Sequence, residues 1–204
     1  MSINVATVHL SKDPVMGKLI TKFKLEIPPK PDNKRLFRDV VEAIIGQQLS
    51  NKAANTIIDR FIKLFDKKGK NFPAARQILQ ISDEKIRQCG TSWAKVRYIK
   101  DFCLATQDGM VELSKLPVLA DEEIIIELTK VKGIGRWTAE MILIFTLQRP
   151  DVFSLGDLGL RTAVAKLYRI DRDNLKKIAK ISSKWSPHRS LASRLLWKSL
   201  DNEN

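Results

Sequence analysis

Two cysteines occur in 204 residues, Cys89 and Cys103, and they form no CxxC pair. That scarcity excludes zinc ribbons, disulfide scaffolds and a four-thiolate iron–sulfur cluster. The two thiols read as structural groups in a reduced, intracellular chain. No apolar run reaches the length of a membrane span. The opening stretch MSINVATVHLSKDP has no signal-peptide core. There is no low-complexity tract, and no segment alternates polar and apolar residues between turn signals, so a β-rich fold is excluded as well.

Negative charge is also in short supply. Thirty-six Lys and Arg face 23 Asp and Glu, a net +13 with pI near 9.8. The excess is uneven, because residues 158–200 hold eleven Lys/Arg against two Asp/Glu. Such a surplus suits a polyanion, whose condensed counterions are released on binding, or else forms a solvated basic face. A membrane surface fits poorly, since no helical segment is basic on one side and aromatic-rich on the other.

The periodicity is helical nearly throughout. SKDPVMGKLITKF starts with Ser11 or Asp13 as a cap and Pro14 in the first turn, and Val15, Leu19 and Phe23 then share a face. The Pro-rich 27–34 stretch breaks the pattern. LFRDVVEAIIGQQLS carries a wide apolar stripe, GQQLSNK interrupts it, and KAANTIIDRFIKLF resumes it. Short helices are predicted near 74–80 and 83–88. Another covers SWAKVRYIKDFCLAT, whose Trp93 reads as core in preference to a nucleic-acid contact. The class is all-α.

The stretch DEEIIIELTKVKGIGRWTAEMILIFTL places Asp121 as a helix cap, then Ile124, Leu128 and Val131 on one face. Gly133-Ile134-Gly135 follows, a tight reversal before a second helix opens. With Lys132 beside it, the exposed helix start is a seat for an anion. No Gly-Lys-Ser/Thr follows, so this is not a Walker A loop. No strand precedes it and no third glycine follows, which argues against a dinucleotide site. What remains is a helix–hairpin–helix that grips a nucleic-acid backbone, or a plain αα-hairpin.

LTKVKGIGRWTAEMILIF resembles the signature of the helix–hairpin–helix DNA glycosylase superfamily. The resemblance continues in AIIGQQLSNKAANTI, RPDVFSLGDLGLRTAV and WSPHRSLASRLLW, and it is closest to the alkylpurine, 3-methyladenine DNA glycosylase II branch. It implies two helical lobes with an active-site cleft between them: 35–148, with the hairpin at about 121–147, and 1–30 with 149–204. Some relatives carry a further N-terminal β-rich domain, and the resemblance covers none here. The implied activity is hydrolysis of the N-glycosidic bond of an alkylated purine in double-stranded DNA. A deaminated- or oxidised-base glycosylase, or a non-catalytic DNA-binding module, are the alternatives. A monomer, cytoplasmic or nuclear according to the source, is the expected context.

The resemblance also assigns residues. Asp157, in SLGDLGL, stands at the position of the family's catalytic acid; read alone it is a helix N-cap, and Asp151 is a rival acid in the same loop. Where many relatives have a second acid just before it, this chain has Gly156. Trp137 stands where strand-cutting members carry a lysine nucleophile, which implies hydrolysis by water without lyase chemistry; the alternative is a core tryptophan. Trp197, Trp137 and Met141 are implied to line the base pocket. Gln48, flanked by Gln47 and Leu49, is implied to fill the gap left by the flipped base. Lys95, Lys132, Gly133, Ile134, Gly135 and Arg136 are the expected DNA-backbone contacts. No cofactor is expected for catalysis. A Na or K ion on the backbone carbonyls of Thr129, Val131 and Ile134 is the one expected accessory.

Overall fold

The computed structural model describes residues 3–26 and 28–201. Among them there is no strand, and the chain runs as α1 (Ile3–Leu10), α2 (Pro14–Phe23), α3 (Leu36–Gly46), α4 (Asn51–Lys63), α5 (Ala75–Gln80), α6 (Asp83–Gln88), α7 (Trp93–Gln107), α8 (Asp121–Thr129), α9 (Arg136–Met141), α10 (Leu158–Tyr168), α11 (Leu175–Ser183) and α12 (Arg189–Asp201). Residues Ile142–Thr146 continue α9 as a π-helical turn. No helix among the described residues is long and apolar enough to cross a membrane.

The starts of the helices follow from their first side chains. Asp13, not Ser11, caps α2, its carboxylate accepting from the Val15 and Met16 amides at 2.9 and 3.4 Å. Ser50 and Ser92 cap α4 and α7 in the same manner. Asp121 was the expected cap of α8 but is its first helical residue. The cap position belongs to Ala120, whose amide donates to Glu123 at 2.7 Å. The Pro-rich connection is non-helical at residues 28–31, with a short 3₁₀ turn at Asn33–Arg35; Ile27 lies outside the described residues. Helix α1 is not among the elements the sequence pattern predicts.

Contacts divide the chain into two compact units: one formed by the chain up to Pro31 with Leu143 onward, the other by Asp32–Ile142. The sequence expectation put the second joint at 148. The division comes earlier, inside the apolar run that carries α9 into the π turn.

In the 32–142 unit, α3 is packed against α4, α7 and α9, and α5 and α6 against α7. Val40, Val41, Ile44 and Ile45 of α3 are fully buried, as are Val96, Ile99, Phe102 and Cys103 of α7. Phe37 stacks on Phe102 at 5.6 Å. Both cysteines are buried free thiols, and burial pushes Cys103 up to about 12. Burial raises the Cys89 thiol as well, which favours the protonated form of both.

In the other unit α12 packs on α10 and α2, around Leu10, Met16, Leu160, Val164, Ile178, Leu196 and Trp185. Trp185 has no exposed surface, yet its indole is polar. Its N–H donates to Asp13 at 3.2 Å, and the Tyr168 hydroxyl donates to the same carboxylate oxygen at 2.6 Å. Burial, then the hydrogen bond to Asp13 and that carboxylate's charge, push the Tyr168 phenol up, so it remains a donor. One side chain thus caps α2 and satisfies two donors sunk in the core. Asp13→Ala removes the cap and strands both donors, and is expected to lower unfolding free energy by about 2–4 kcal/mol in urea titration. A loss below about 0.5 kcal/mol would contradict that role.

Candidate functional site

The hairpin is built around one obligatory glycine. Gly133 has φ +90°, and a Cβ there would lie 2.1 Å from Cγ of Tyr98. Both the backbone conformation and the aromatic ring on top of it demand glycine. Gly135 is different. Its φ is −89°, a Cβ would meet nothing within 4 Å, and it holds the N-cap position of α9. The expectation that both glycines serve the reversal is therefore corrected: Gly135 leaves bare backbone at an exposed helix start. Ile134, an expected DNA contact, is buried at 3% exposure, so its side chain anchors the loop, and its amide donates to the Val131 carbonyl at 3.1 Å. Lys132 is exposed and forms no ion pair among the described residues.

Arg136 does not project freely. Its guanidinium pairs with both Glu122 oxygens, one at 3.0 Å, and its Nε donates to Glu140 at 3.0 Å. The Arg136 partner holds the Glu122 carboxyl below the usual range. Arg136 thus ties the start of α8 to α9, with its side chain still 58% exposed. Lys95 receives a correction. Its ammonium donates to the carbonyls of Ile45 and Gln47 at 2.8 and 2.7 Å, closing the C-terminus of α3, and burial lowers its pKa. Gln47 is also engaged internally, its amide donating to the Gly133 carbonyl at 2.9 Å and the Thr138 hydroxyl at 3.2 Å.

That leaves Gln48 and Leu49 as the projecting residues of the turn. Both are exposed, and Gln48 has φ +58°. On α9, Trp137 is 38% exposed, and Met141 lies one turn further on the same face, partly buried. Trp93 was read as core but is 49% exposed at the first turn of α7.

In the other unit Asp157 caps α10 and is only 8% exposed. Its Oδ1 accepts from the Leu160 amide at 2.7 Å and from the Trp197 indole N–H at 3.0 Å. The cap reading and the oriented-acid reading therefore describe the same geometry. A Cβ on Gly159 would lie 3.2 Å from that oxygen and 3.3 Å from the Trp197 ring, a close approach that glycine accommodates. The rival acid is committed elsewhere: Asp151 accepts from Arg189 Nε and Nη2 at 2.8 and 3.0 Å and from Ser186 at 2.7 Å. Burial works against its charge, but these donors more than offset it and hold Asp151 below the usual range.

With this geometry in view, the comparisons decide the family. The model of the HhH-GPD superfamily of base excision DNA repair proteins matches residues 41–188. The chain belongs to that superfamily. The DNA-3-methyladenine glycosylase 1 of Schizosaccharomyces pombe is 35% identical over 201 residues, covering 97% of this chain and 87% of the relative. A solved S. pombe 3-methyladenine DNA glycosylase, in complex with abasic DNA, superimposes with TM-score 0.86 at 34% identity, covering 95% of each chain. A DNA-3-methyladenine glycosidase from Bacillus halodurans gives TM-score 0.79 at 34% identity, covering 97% of this chain and 89% of that one.

The HhH-GPD match contains the Gln48 turn, the hairpin and Asp157, and stops short of Trp197. The structure adds Phe145, which sequence reasoning missed. Its ring is 46% exposed, lies 5.4 Å from Trp197, and has the Arg194 guanidinium 4.6 Å from its centroid. Arg194 is in turn held by the Ile144 carbonyl at 2.7 Å and Gln148 at 2.9 Å. The only signal in the sequence was an aromatic inside an apolar run that looks uniformly buried.

The two hairpin glycines respond differently to the same change. Gly133→Ala must displace Tyr98 and strain the backbone, and is expected to cost more than about 2 kcal/mol in chemical denaturation. Gly135→Ala is expected to cost less than about 1 kcal/mol. Equal losses would contradict the assignment.

Proposed function

We propose that this chain is a monofunctional DNA glycosylase that hydrolyses the N-glycosidic bond of alkylated purines, of the 3-methyladenine and 7-methylguanine type, in double-stranded DNA, leaving an abasic site. The observation that carries the reading is Asp157, a nearly buried carboxylate aimed by two hydrogen bonds to one of its oxygens. The names of the relatives at 34–35% identity support the substrate class.

Breaking the glycosidic bond builds positive charge on the sugar. A fixed carboxylate stabilises that charge and orients or deprotonates the attacking water. An alkylated purine leaves readily when it is already cationic, so one acid suffices, and Gly156 supplies no second. Its electron-poor ring suits aromatic faces, and in the unit that carries Asp157 the partly exposed Trp197 and the exposed Phe145 are proposed to meet it; in the other unit Trp137, with Met141 one turn on, offers an exposed aromatic face of the same kind. Trp137 supplies no amine, so the bond is broken by water without a Schiff base.

The DNA backbone would be held by the exposed amides at Gly135, the neighbouring backbone of Gly133 and Ile134, and the Lys132 ammonium. Gln48, with Leu49, would occupy the stack vacated by the flipped nucleotide. The hairpin also fits a monovalent cation. The oxygens of Thr129, Val131 and Ile134 are neutral donors; that of Val131 accepts the Ile134 amide at 3.1 Å and keeps a second lone pair. Those three oxygens would hold such an ion, which would supply positive charge at the hairpin. The substrate makes the activity an intracellular one.

Asp157→Asn tests the reading cleanly, because Asn keeps the oxygen that accepts from Leu160 and Trp197 and is itself a good N-cap. Release of 3-methyladenine from methylated DNA is expected to fall by at least about 100-fold, with affinity for abasic duplex unchanged within about threefold. Release at the wild-type rate would contradict the assignment.

A further inference from the structure

The turn after α3 is braced more heavily than a solvent-exposed turn needs. Helix α3 ends at Gly46, and its last carbonyls point away from the body of the helix. Lys95, from the first turn of α7, donates to two of them, on Ile45 and Gln47, at 2.8 and 2.7 Å. From the other side the Gln47 amide reaches the hairpin, at the Gly133 carbonyl and the Thr138 hydroxyl. Leu49 closes the turn by donating to Gly46 at 3.1 Å. Gln48 sits between these anchors with φ +58°, a region that favours glycine or asparagine, and its side chain is exposed. Nothing in the packing of an exposed side chain requires that conformation. The surrounding hydrogen bonds over-determine it, which is how strain persists at working positions.

We propose that Lys95, acting through Gln47, is a positioning residue: the two form a bracket that presents Gln48 rigidly and in fixed register with the hairpin, so that the residue entering the duplex is already ordered when the backbone is gripped. The inference rests on the base-excision reading and on Gln48 as the residue that fills the vacated stack. A loose turn would have to be ordered at the moment of nucleotide extrusion, and that entropy cost falls on extrusion alone. The chemistry at Asp157 does not involve it. Lys95 is therefore needed most when the damaged base must be pulled out of a pair and least when it is already unpaired.

The test is single-turnover excision, at saturating enzyme, of one alkylated base in two duplexes: fully paired, and placed in a single-nucleotide bulge. Lys95→Met keeps the stem and removes both hydrogen bonds. It is expected to slow the paired substrate about tenfold or more and the bulged one by less than about threefold. Lys95→Arg, which can still donate to two carbonyls, is expected to restore most of the paired rate. Adding Gln48→Ala to Lys95→Met is expected to change little further, since both act on one step. Equal slowing of both substrates would show general damage to the fold and overturn the proposal. An unchanged paired rate would overturn it too. Failure of the wild-type protein to excise from either duplex would overturn the reading beneath it, a result distinct from the other two.

Discussion

The ring of Tyr98 occupies the space where residue 133 would carry a Cβ, and the architecture of the 32–142 unit hangs on that exclusion. With glycine forced there, the chain reverses between α8 and α9 tightly enough to bury Val131 and Ile134 and leave the amides at Gly135 outside. The carbonyl of the same glycine receives Gln47, so the reversal also fixes the turn that follows α3. Arg136 then closes the pair of helices by gripping Glu122 and Glu140. A surface meant to hold a phosphate backbone without reading bases needs this kind of rigidity, because its contacts are few and mostly main-chain.

The other unit solves a different problem, how to keep a carboxylate both nearly buried and aimed. Asp157 does so by being an N-cap: the start of α10 supplies one donor and Trp197 the other. The π turn at Ile142–Thr146 holds Phe145 against that indole, and the Arg194 guanidinium lies over the Phe145 ring. Two of the irregularities in this chain, the π turn and the positive φ of Gln48, lie at or beside residues proposed to act, whereas the positive φ values of Lys24 and Arg169 simply end helices α2 and α10.

What could be read from residues alone was what depends on near neighbours. Asp13 before Pro14, the stripe of α3 and the helices at 75–80 and 83–88 are set by local capping and periodicity, and the structure agrees with them. Asp157 could be placed because its motif is contiguous. Lys95 could not be read correctly, and the Glu122 and Glu140 partners of Arg136 could not be foreseen. A cation in a basic chain looks like a phosphate ligand until its partner is known, and the carbonyl that holds Lys95 lies 50 residues away in sequence. Phe145 was hidden for a subtler reason. The extra residue of a π turn rotates the side chains that follow, so an aromatic in an apolar run turns outward where a regular helix would bury it. Trp93 failed in the simplest way, since an aromatic at a helix start carries no sequence sign of which side it faces.

The central claim is that water, not an amine of this protein, completes the cleavage of a bond to an alkylated purine. It is tested most directly by incubating the protein with methylated duplex DNA in the presence of borohydride, separating the released bases by chromatography, and resolving the strands without alkali. Free 3-methyladenine or 7-methylguanine, intact strands and no protein–DNA adduct are the predicted result. Cut strands or a borohydride-trapped adduct would contradict it.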